Sequence, residues 1–360
     1  MADVIVVRHG ETISEPGICI GRTNVPLSER GRKRAEILGK YLKEKYPDIG
    51  RIITSPLDRA VATALEVSKF YEIMPETDEN VTEIDLGKWE GKHFDKIREE
   101  DPSAFMKRGE DPWDYRISEA ETFYEAALRF QKRINVYAED EKDVLVAAHK
   151  GVITGLFAEL GYADKKDLFH VSCPNLSISV FRMHDEQLQV ADGPYRPSAL
   201  LDDVLIADLY QKHQTPANVI AHMRAVAEYA IKILDDLHSD YDREKIYKAA
   251  LLHDLDRTKK HHAKVSAESL RREGFRDIAD MVEEHHREEY DPSQPVSDAD
   301  ILWYADKCIL EDKVVSIEER FALSKEKCRD EEALLHHQRR YEKACYIRER
   351  IKQEGRNETD

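Results

Sequence analysis

The sequence lacks what would place it in a membrane. No run of about 18 uncharged apolar residues occurs in its 360 residues, so the pattern excludes a transmembrane helix. Mean hydropathy is −0.63. Met1-Ala2-Asp3 leads directly into Val4-Ile5-Val6-Val7, with neither a basic segment nor a small-residue cleavage site, so no secretory leader is expected. Cysteine is scarce: Cys19, Cys173, Cys308, Cys328 and Cys345 are odd in number, widely spaced and never Cys-x-x-Cys. That speaks against a disulfide framework and against a zinc ribbon, and a reducing, cytoplasmic setting is expected. Basic excess is missing too. The net charge of −17 argues against a nucleic-acid polymer or an anionic membrane as partner. It does not exclude a small phosphorylated metabolite or nucleotide, because a few arginines focused in a cleft override a distant negative field. What remains is a composition of 41% hydrophobic and 35% charged residues, ordinary for a globular chain whose length suits two domains.

The two halves follow different patterns. In the first, residues 4–7, 51–54 and 143–148 are short apolar, β-branched runs that predict buried parallel strands, and 175–181 and 187–191 predict closing strands. Helical patterns lie between them. Ser55-Pro56 predicts a helix start, and Ser118-x-x-Glu121 predicts a capping box. Such alternation predicts an α/β domain with helices on both faces of a sheet. Gly193-Pro194-Tyr195-Arg196-Pro197-Ser198 is a breaker cluster and predicts a linker. Beyond it the periodicity is helical: a helix from Pro216 to about Leu237, then 247–252, 263–272, 278–286, 299–310 and a polar final helix over 331–351. The second half is therefore expected to be all-α, and residues 356–360 are expected to fray.

Arg8-His9-Gly10-Glu11-Thr12 follows the first strand, Arg59 lies just after the second, and His149 directly follows the third. Loops at the carboxyl ends of strands in an open α/β sheet face one crevice, so these side chains are expected to converge. Guanidinium groups bind the oxygens of a phosphoryl group bidentately, and an imidazole can attack its phosphorus. The ordered set, with 21–27 (GRTNVPL), 55–63 (SPLDRAVAT), 83–91 (EIDLGKWEG), Glu121-Thr122 and 148–152 (AHKGV), resembles the histidine phosphatase superfamily of phosphoglycerate mutase-like proteins, which includes α-ribazole phosphatase. The resemblance implies a three-layer, doubly wound α/β fold over residues 1–192. It implies that His9 is the nucleophile that becomes phosphohistidine, and that Arg8, Arg59 and His149 hold the phosphoryl oxygens. Glu83 would be the general acid that protonates the leaving oxygen and then activates water. No cofactor is implied there.

Two positions depart from that family. Ser14-Glu15 stands where Trp-Asn is usual, and Lys150 replaces the first glycine of His-Gly-Gly. An acid at residue 15 would repel substrate phosphate unless it turns away, and Lys150 adds charge at the rim. The segment between Arg8 and Arg59 is compact, without an element to cover a retained phosphohistidine, which favours hydrolysis over a mutase-like isomerisation.

A histidine followed by an acid means little alone, since about three such pairs are expected by chance at this composition. His184-Asp185, at a strand end, is one of these. His253-Asp254 has companions. His222 falls on the apolar face of the helix from Pro216, three after Val219 and four before Val226. Asp306 lies four after Leu302, and His285 seven after Ile278. Several helices thus aim ionisable groups at the core, where an unpaired charge is costly and a divalent cation would satisfy them. The order His222, His253-Asp254, Asp306 resembles the HD-domain phosphohydrolases over residues 215–325. His262, His285 and His286 resemble the added ligands of binuclear members, for which a second ion is expected. Manganese, iron, nickel, cobalt, zinc or magnesium would each suit this set. Leu255-Asp256 departs from the common Ile-Gly after His-Asp. HD domains also act as nucleotide sensors, so a bifunctional phosphohydrolase and a phosphatase regulated by a non-catalytic HD domain both follow from the resemblance.

The expected division is thus 1–192, a linker over 193–214, an HD helical bundle over 215–325 and a C-terminal helix and tail over 326–360. Leu334, Tyr341, Ala344, Ile347 and Ile351 make a loose stripe on that last helix, which either packs on its own domain or forms a homodimer contact.

Overall fold

The computed structural model describes residues 2–237 and 240–355; the fraying expected over 356–360 lies outside the described residues. The chain divides into two units, one ending at Leu200 and one beginning at Leu201.

The first unit is built on a six-stranded sheet. In chain order its elements are β1 (Val4–Arg8), α1 (Glu29–Lys45), β2 (Arg51–Thr54), α2 (Asp58–Ser68), β3 (Glu76–Thr77), α3 (Phe94–Glu100), α4 (Pro102–Glu110), α5 (Phe123–Ala138), β4 (Val144–Ala148), α6 (Lys150–Glu159), β5 (Ile178–His184) and β6 (Gln187–Tyr195). The strand order is β3-β2-β4-β1-β5-β6. The first four run parallel, and β5 and β6 close the sheet antiparallel. β1 and β4 are buried on both faces, which is why they read as continuous apolar runs rather than alternating ones. Val4, Val6, Val144 and Val146 pack with Phe130, Ile134, Ile153 and Leu156 of α5 and α6. The intervening Ile5, Val7, Leu145 and Ala147 are buried on the other side, where α2 packs on β2 and β4 and α1 packs on α2.

Two helix starts differ from expectation. α2 begins at Asp58, with Ser55 Oγ accepting from the Leu57 N–H instead of capping the helix. The capping box belongs to Thr122 and Glu125, which exchange side-chain and backbone bonds at the start of α5. The sequence offers two such pairs four residues apart, and only the second directly precedes the amphipathic run.

The second unit contains α7 (Asp203–His213), α8 (Ala217–Asp235), α9 (Arg243–Ala250), α10 (His262–Arg272), α11 (Arg276–Glu284), α12 (Asp298–Lys307), β7 (Ile309–Leu310), β8 (Lys313–Val314), α13 (Ile317–Lys325) and α14 (Glu331–Glu354). It is helix-rich but not all-α. β7 and β8 form a two-residue antiparallel ribbon, too short to leave an alternating signal, turning at Glu311 with a φ of 57°. Residues 193–214, expected as a linker, hold the end of β6 and the whole of α7. α7 buries Leu205, Ile206, Leu209 and Tyr210, and Tyr210 donates to Leu251 O at 2.6 Å. α14 packs on α12 and α13 through Ala344 and Ile347, while Leu334 is exposed.

Candidate active sites

In the first unit, strand ends bring the predicted side chains together. Arg8 ends β1 and His9 follows it; Arg59 lies in the first turn of α2; His149 follows β4 and precedes α6. His9 Nδ1 lies 2.7 Å from Gly10 O, so Nδ1 carries the proton and Nε2 keeps its lone pair. The His9 and His149 ring centres are 5.1 Å apart. Arg8 donates from Nη1 to Cys173 O at 2.7 Å, and Arg59 from Nη1 and Nη2 to Thr23 O and Gly21 O at 2.8 and 2.6 Å. Four buried polar atoms here make no hydrogen bond: Arg8 Nε, Arg59 Nε and both ring nitrogens of His149. Burial, with the charges of Arg8 and Arg59, pushes the His9 pKa well below 6.5. Burial does the same to His149, followed by His9 and Arg59.

Glu83 reaches the start of α6. Its carboxylate accepts from the N–H groups of Ile84, Gly151 and Val152 at 2.9–3.2 Å. A Cβ on Gly151 would sit 2.5 Å from Glu83 Oε1, so this approach requires glycine. Arg8, His9, Arg59 and Glu83 line a cavity of about 780 Å³. His149 is fully buried beside His9 rather than in the cavity wall. Glu15 and Lys150, the two unusual positions, both line the cavity. Lys150 Nζ lies 3.5 Å from Phe169 O, and burial followed by Arg8 lowers its pKa.

In the second unit two groups of donors face one another. The ligand atoms of His222, His253 and Asp306 lie within 4.8 Å of one another, as do those of Asp254, His262, His285 and His286. All seven predicted ligands are therefore in the two groups. His222 comes from α8 and Asp306 from α12; His253 and Asp254 stand in the turns after α9; His262 opens α10, and His285 and His286 follow α11. Nδ1 of His222 faces Glu311 O at 2.7 Å, Nδ1 of His253 faces Ala250 O at 2.8 Å, and Nδ1 of His285 faces Val282 O. Each carbonyl fixes the proton on Nδ1 and turns an unprotonated Nε2 inward, as metal-bound histidines require. Asp254 links the groups, with Oδ2 3.7 Å from His253 Nε2 and Oδ1 3.1 Å from His262 Nε2. His253 Nε2 is buried without a hydrogen-bond partner, and the buried Asp254 Oδ1 meets only the His262 and His285 imidazoles and the Arg257 guanidinium. Buried N and O donors so placed are what a divalent cation satisfies, so the residues present fit a metal centre. Burial alone would raise the Asp306 carboxyl, but Lys307 and the imidazoles of His222 and His253 hold it well below 3.8. Burial, then Lys307 and His262, lower His286 to about 4.

Residues 4–192 match the family model described as histidine phosphatase superfamily (branch 1). The chain belongs to the histidine phosphatase superfamily. Residues 219–354 match the HD domain, so the second unit carries one, and α14 lies within the match. The chain is 27% identical over 194 residues to phosphoserine phosphatase 1 of Hydrogenobacter thermophilus, covering 52% of this chain and 89% of that one. It is 29% identical over 196 residues to an uncharacterized phosphatase, PhoE, of Bacillus subtilis, covering 53% and 94%. Among solved structures, Bacillus stearothermophilus YhfR is similar at a TM-score of 0.51 and 28% identity, over 56% of this chain and all of that one.

Several residues of this histidine phosphatase site carry no role in the sequence reading. Arg129 on α5 donates to Thr82 O at 3.0 Å and to Glu121 at 3.0 Å, and Arg22 donates to Glu83 O at 3.1 Å and to Glu121 at 2.9 Å. The pair thus clamps the backbone that presents Glu83. Glu90 accepts from the N–H groups of Arg22, Thr23 and Leu86, and Asn175 Nδ2 donates to His9 O and Gly10 O. Glu90 and Glu121 stand in quoted motifs, but Arg129 and Asn175 carry no local signal.

The HD domain adds similar support. Asp256, after Leu255, is 2% exposed and accepts from Ser269 Oγ at 2.9 Å; Oδ1 lies 3.0 Å from His213 Nδ1 and 2.6 Å from Lys259 Nζ. An acid in place of glycine therefore anchors the turn after His253-Asp254 to α7 and α10. A cavity of about 610 Å³ in front of the ligands is lined also by Arg257, Lys307 and Arg320. Among the described residues no helix is long and apolar enough to cross a membrane.

Proposed function

We propose that the first unit hydrolyses a small-molecule phosphomonoester through a phosphohistidine on His9. The observation that carries this is the convergence of four unpartnered buried polar atoms, Arg8 Nε, Arg59 Nε and both nitrogens of His149, around an imidazole whose Nε2 is deprotonated. A dianionic phosphoryl group would accept from the two guanidinium Nε–H groups and from the single N–H of a neutral His149, and without it their burial is costly. Nε2 of His9 attacks phosphorus as the bond to the alcohol oxygen breaks, and the guanidinium forks spread the developing charge. Glu83, entering the step as the protonated acid, gives that proton to the leaving oxygen and becomes a carboxylate. It then takes one from water, which attacks the phosphohistidine and releases phosphate while His9 recovers its lone pair.

For the second unit we propose a metal-dependent phosphohydrolase. Divalent cations held by His222, His253 and Asp306 and by Asp254, His262, His285 and His286 would supply an activated water and polarise a phosphoester. The chain's own contribution is to orient the imidazoles through backbone carbonyls and to present Arg257, Lys307 and Arg320 to phosphate oxygens.

The test is hydrolysis of p-nitrophenyl phosphate by the full-length protein, with and without prior metal stripping. Activity that survives stripping and vanishes in His9→Ala is expected. Activity lost on stripping and restored by manganese would place the working phosphatase in the HD domain.

A further inference from the structure

The polar final helix does more than cover the HD domain. His285 and His286 follow α11, and residues 286–297 carry the chain from there to α12, with none of them buried. The segment has no apolar core of its own, so other contacts must fix its main chain. α14 supplies them. Lys343 Nζ donates to Arg287 O at 3.1 Å and to Glu289 O at 3.4 Å. Tyr346 Oη donates to the Pro292 and Gln294 carbonyls at 3.2 and 3.4 Å, and its ring stacks on Tyr290 at 4.9 Å. His336 and Arg340 both reach Glu288.

Lys343 is the buried member of this set, 3% exposed, with its ammonium 4.9 Å from the centre of the Trp303 ring. A buried ammonium is tolerated when its protons find acceptors, here two carbonyls and Asp300 Oδ1 at 3.1 Å. His286 depends on such a pin more than its neighbours do. Backbone carbonyls face Nδ1 of His222, His253 and His285. Among the described residues His286 has no such carbonyl, and its Nε2 lies 3.0 Å from His262 Nε2. Its aim is therefore set by the main chain that carries it.

We propose that Lys343 is a positioning residue for the group of Asp254, His262, His285 and His286. By holding Arg287 O and Glu289 O it fixes the chain that aims His286. The inference rests on the reading of that group as metal ligands. Asp300 stands on α12, which also carries Asp306, but this helix is fixed by its own buried Ile301, Leu302 and Trp303. The group of His222, His253 and Asp306 thus does not rely on Lys343.

The experiment titrates manganese by calorimetry into the metal-stripped full-length protein and records electron paramagnetic resonance of the loaded samples. The unaltered protein is expected to bind an ion at each group and to show a spin-coupled pair. Lys343→Met is expected to keep the tighter ion at unaltered affinity and to bind the weaker one at least about tenfold less well. Its spectrum becomes that of an isolated ion. A residue that only stabilised the fold would weaken both ions alike. If circular dichroism shows Lys343→Met unfolded, Tyr346→Phe takes its place, keeping the ring and losing the hydroxyl, with a severalfold loss of the weaker ion expected. Unaltered affinities for both ions in the variant that folds, or equal weakening of both, would overturn the inference. Unaltered protein that binds a single ion or none refutes the reading of two metal groups, and the inference falls with it.

Discussion

The His9 and His149 imidazoles stand 5.1 Å apart with their planes inclined at 54°, and neither nitrogen of His149 finds a hydrogen-bond partner. Two such rings cannot both be charged beside two arginines, and burial keeps each neutral.

This arrangement has a signed consequence for stability. The unfolded chain protonates both rings near the ordinary value of 6.5, whereas the folded chain resists until a much lower pH. The unfolded state therefore binds more protons below 6.5, and stability is lost as pH falls through that value, by up to about 1.4 kcal/mol per pH unit for each ring. Denaturant titrations of the first unit's transition should show this fall, and His149→Gln should roughly halve its slope.

Glu83 predicts a dependence on the leaving group. Glu83→Gln should lower kcat/KM, which reads the steps up to formation of phosphohistidine, by about 10²–10⁴-fold for an alkyl phosphate, and far less for p-nitrophenyl phosphate, whose phenolate leaves without help. Equal losses on the two substrates would indicate that Glu83 only supports the start of α6.

The clamp on Glu83 should act through position. Arg129→Met removes bonds to Thr82 O and Glu121 without touching the cavity wall. It is expected to reduce kcat about tenfold or more with KM little changed. Steady-state kinetics on one alkyl phosphate separates the two parameters.

In the HD domain, the bond between His213 and Asp256 should tune metal binding from a distance. His213→Ala is expected to weaken manganese affinity about 10–100-fold while the protein stays folded. Calorimetric titration of the stripped protein measures this, with circular dichroism as the control. An unchanged affinity would make the pair merely structural.

How far the sequence discloses all this depends on how local each signal is. β1, β2 and β4 are legible because strands buried on both faces leave unbroken β-branched runs, and His9, Arg59 and His149 sit next to them. The seven HD-domain donors are legible because His222 and Asp306 break an apolar face that has no other use for a charge. α7 is not, because the breaker cluster around Pro194 and Pro197 masks a helix that starts only at Asp203. Nor are the bonds from Arg129 to Thr82 O and from Asn175 to His9 O, or the His213–Asp256 contact, each of which joins residues 43 or more apart in sequence. The β7–β8 ribbon is two residues per strand, below the length at which alternation can be read.

The central claim is that phosphoryl transfer in the first unit passes through His9 without a metal. The direct measurement incubates metal-stripped, full-length protein with p-nitrophenyl phosphate, quenches in alkali and maps the phosphorylated peptide by mass spectrometry. An acid-labile, alkali-stable phosphoryl group on the peptide containing His9 is the predicted result. Turnover with no phosphoryl group on that peptide, or turnover that stops on stripping, would contradict the account.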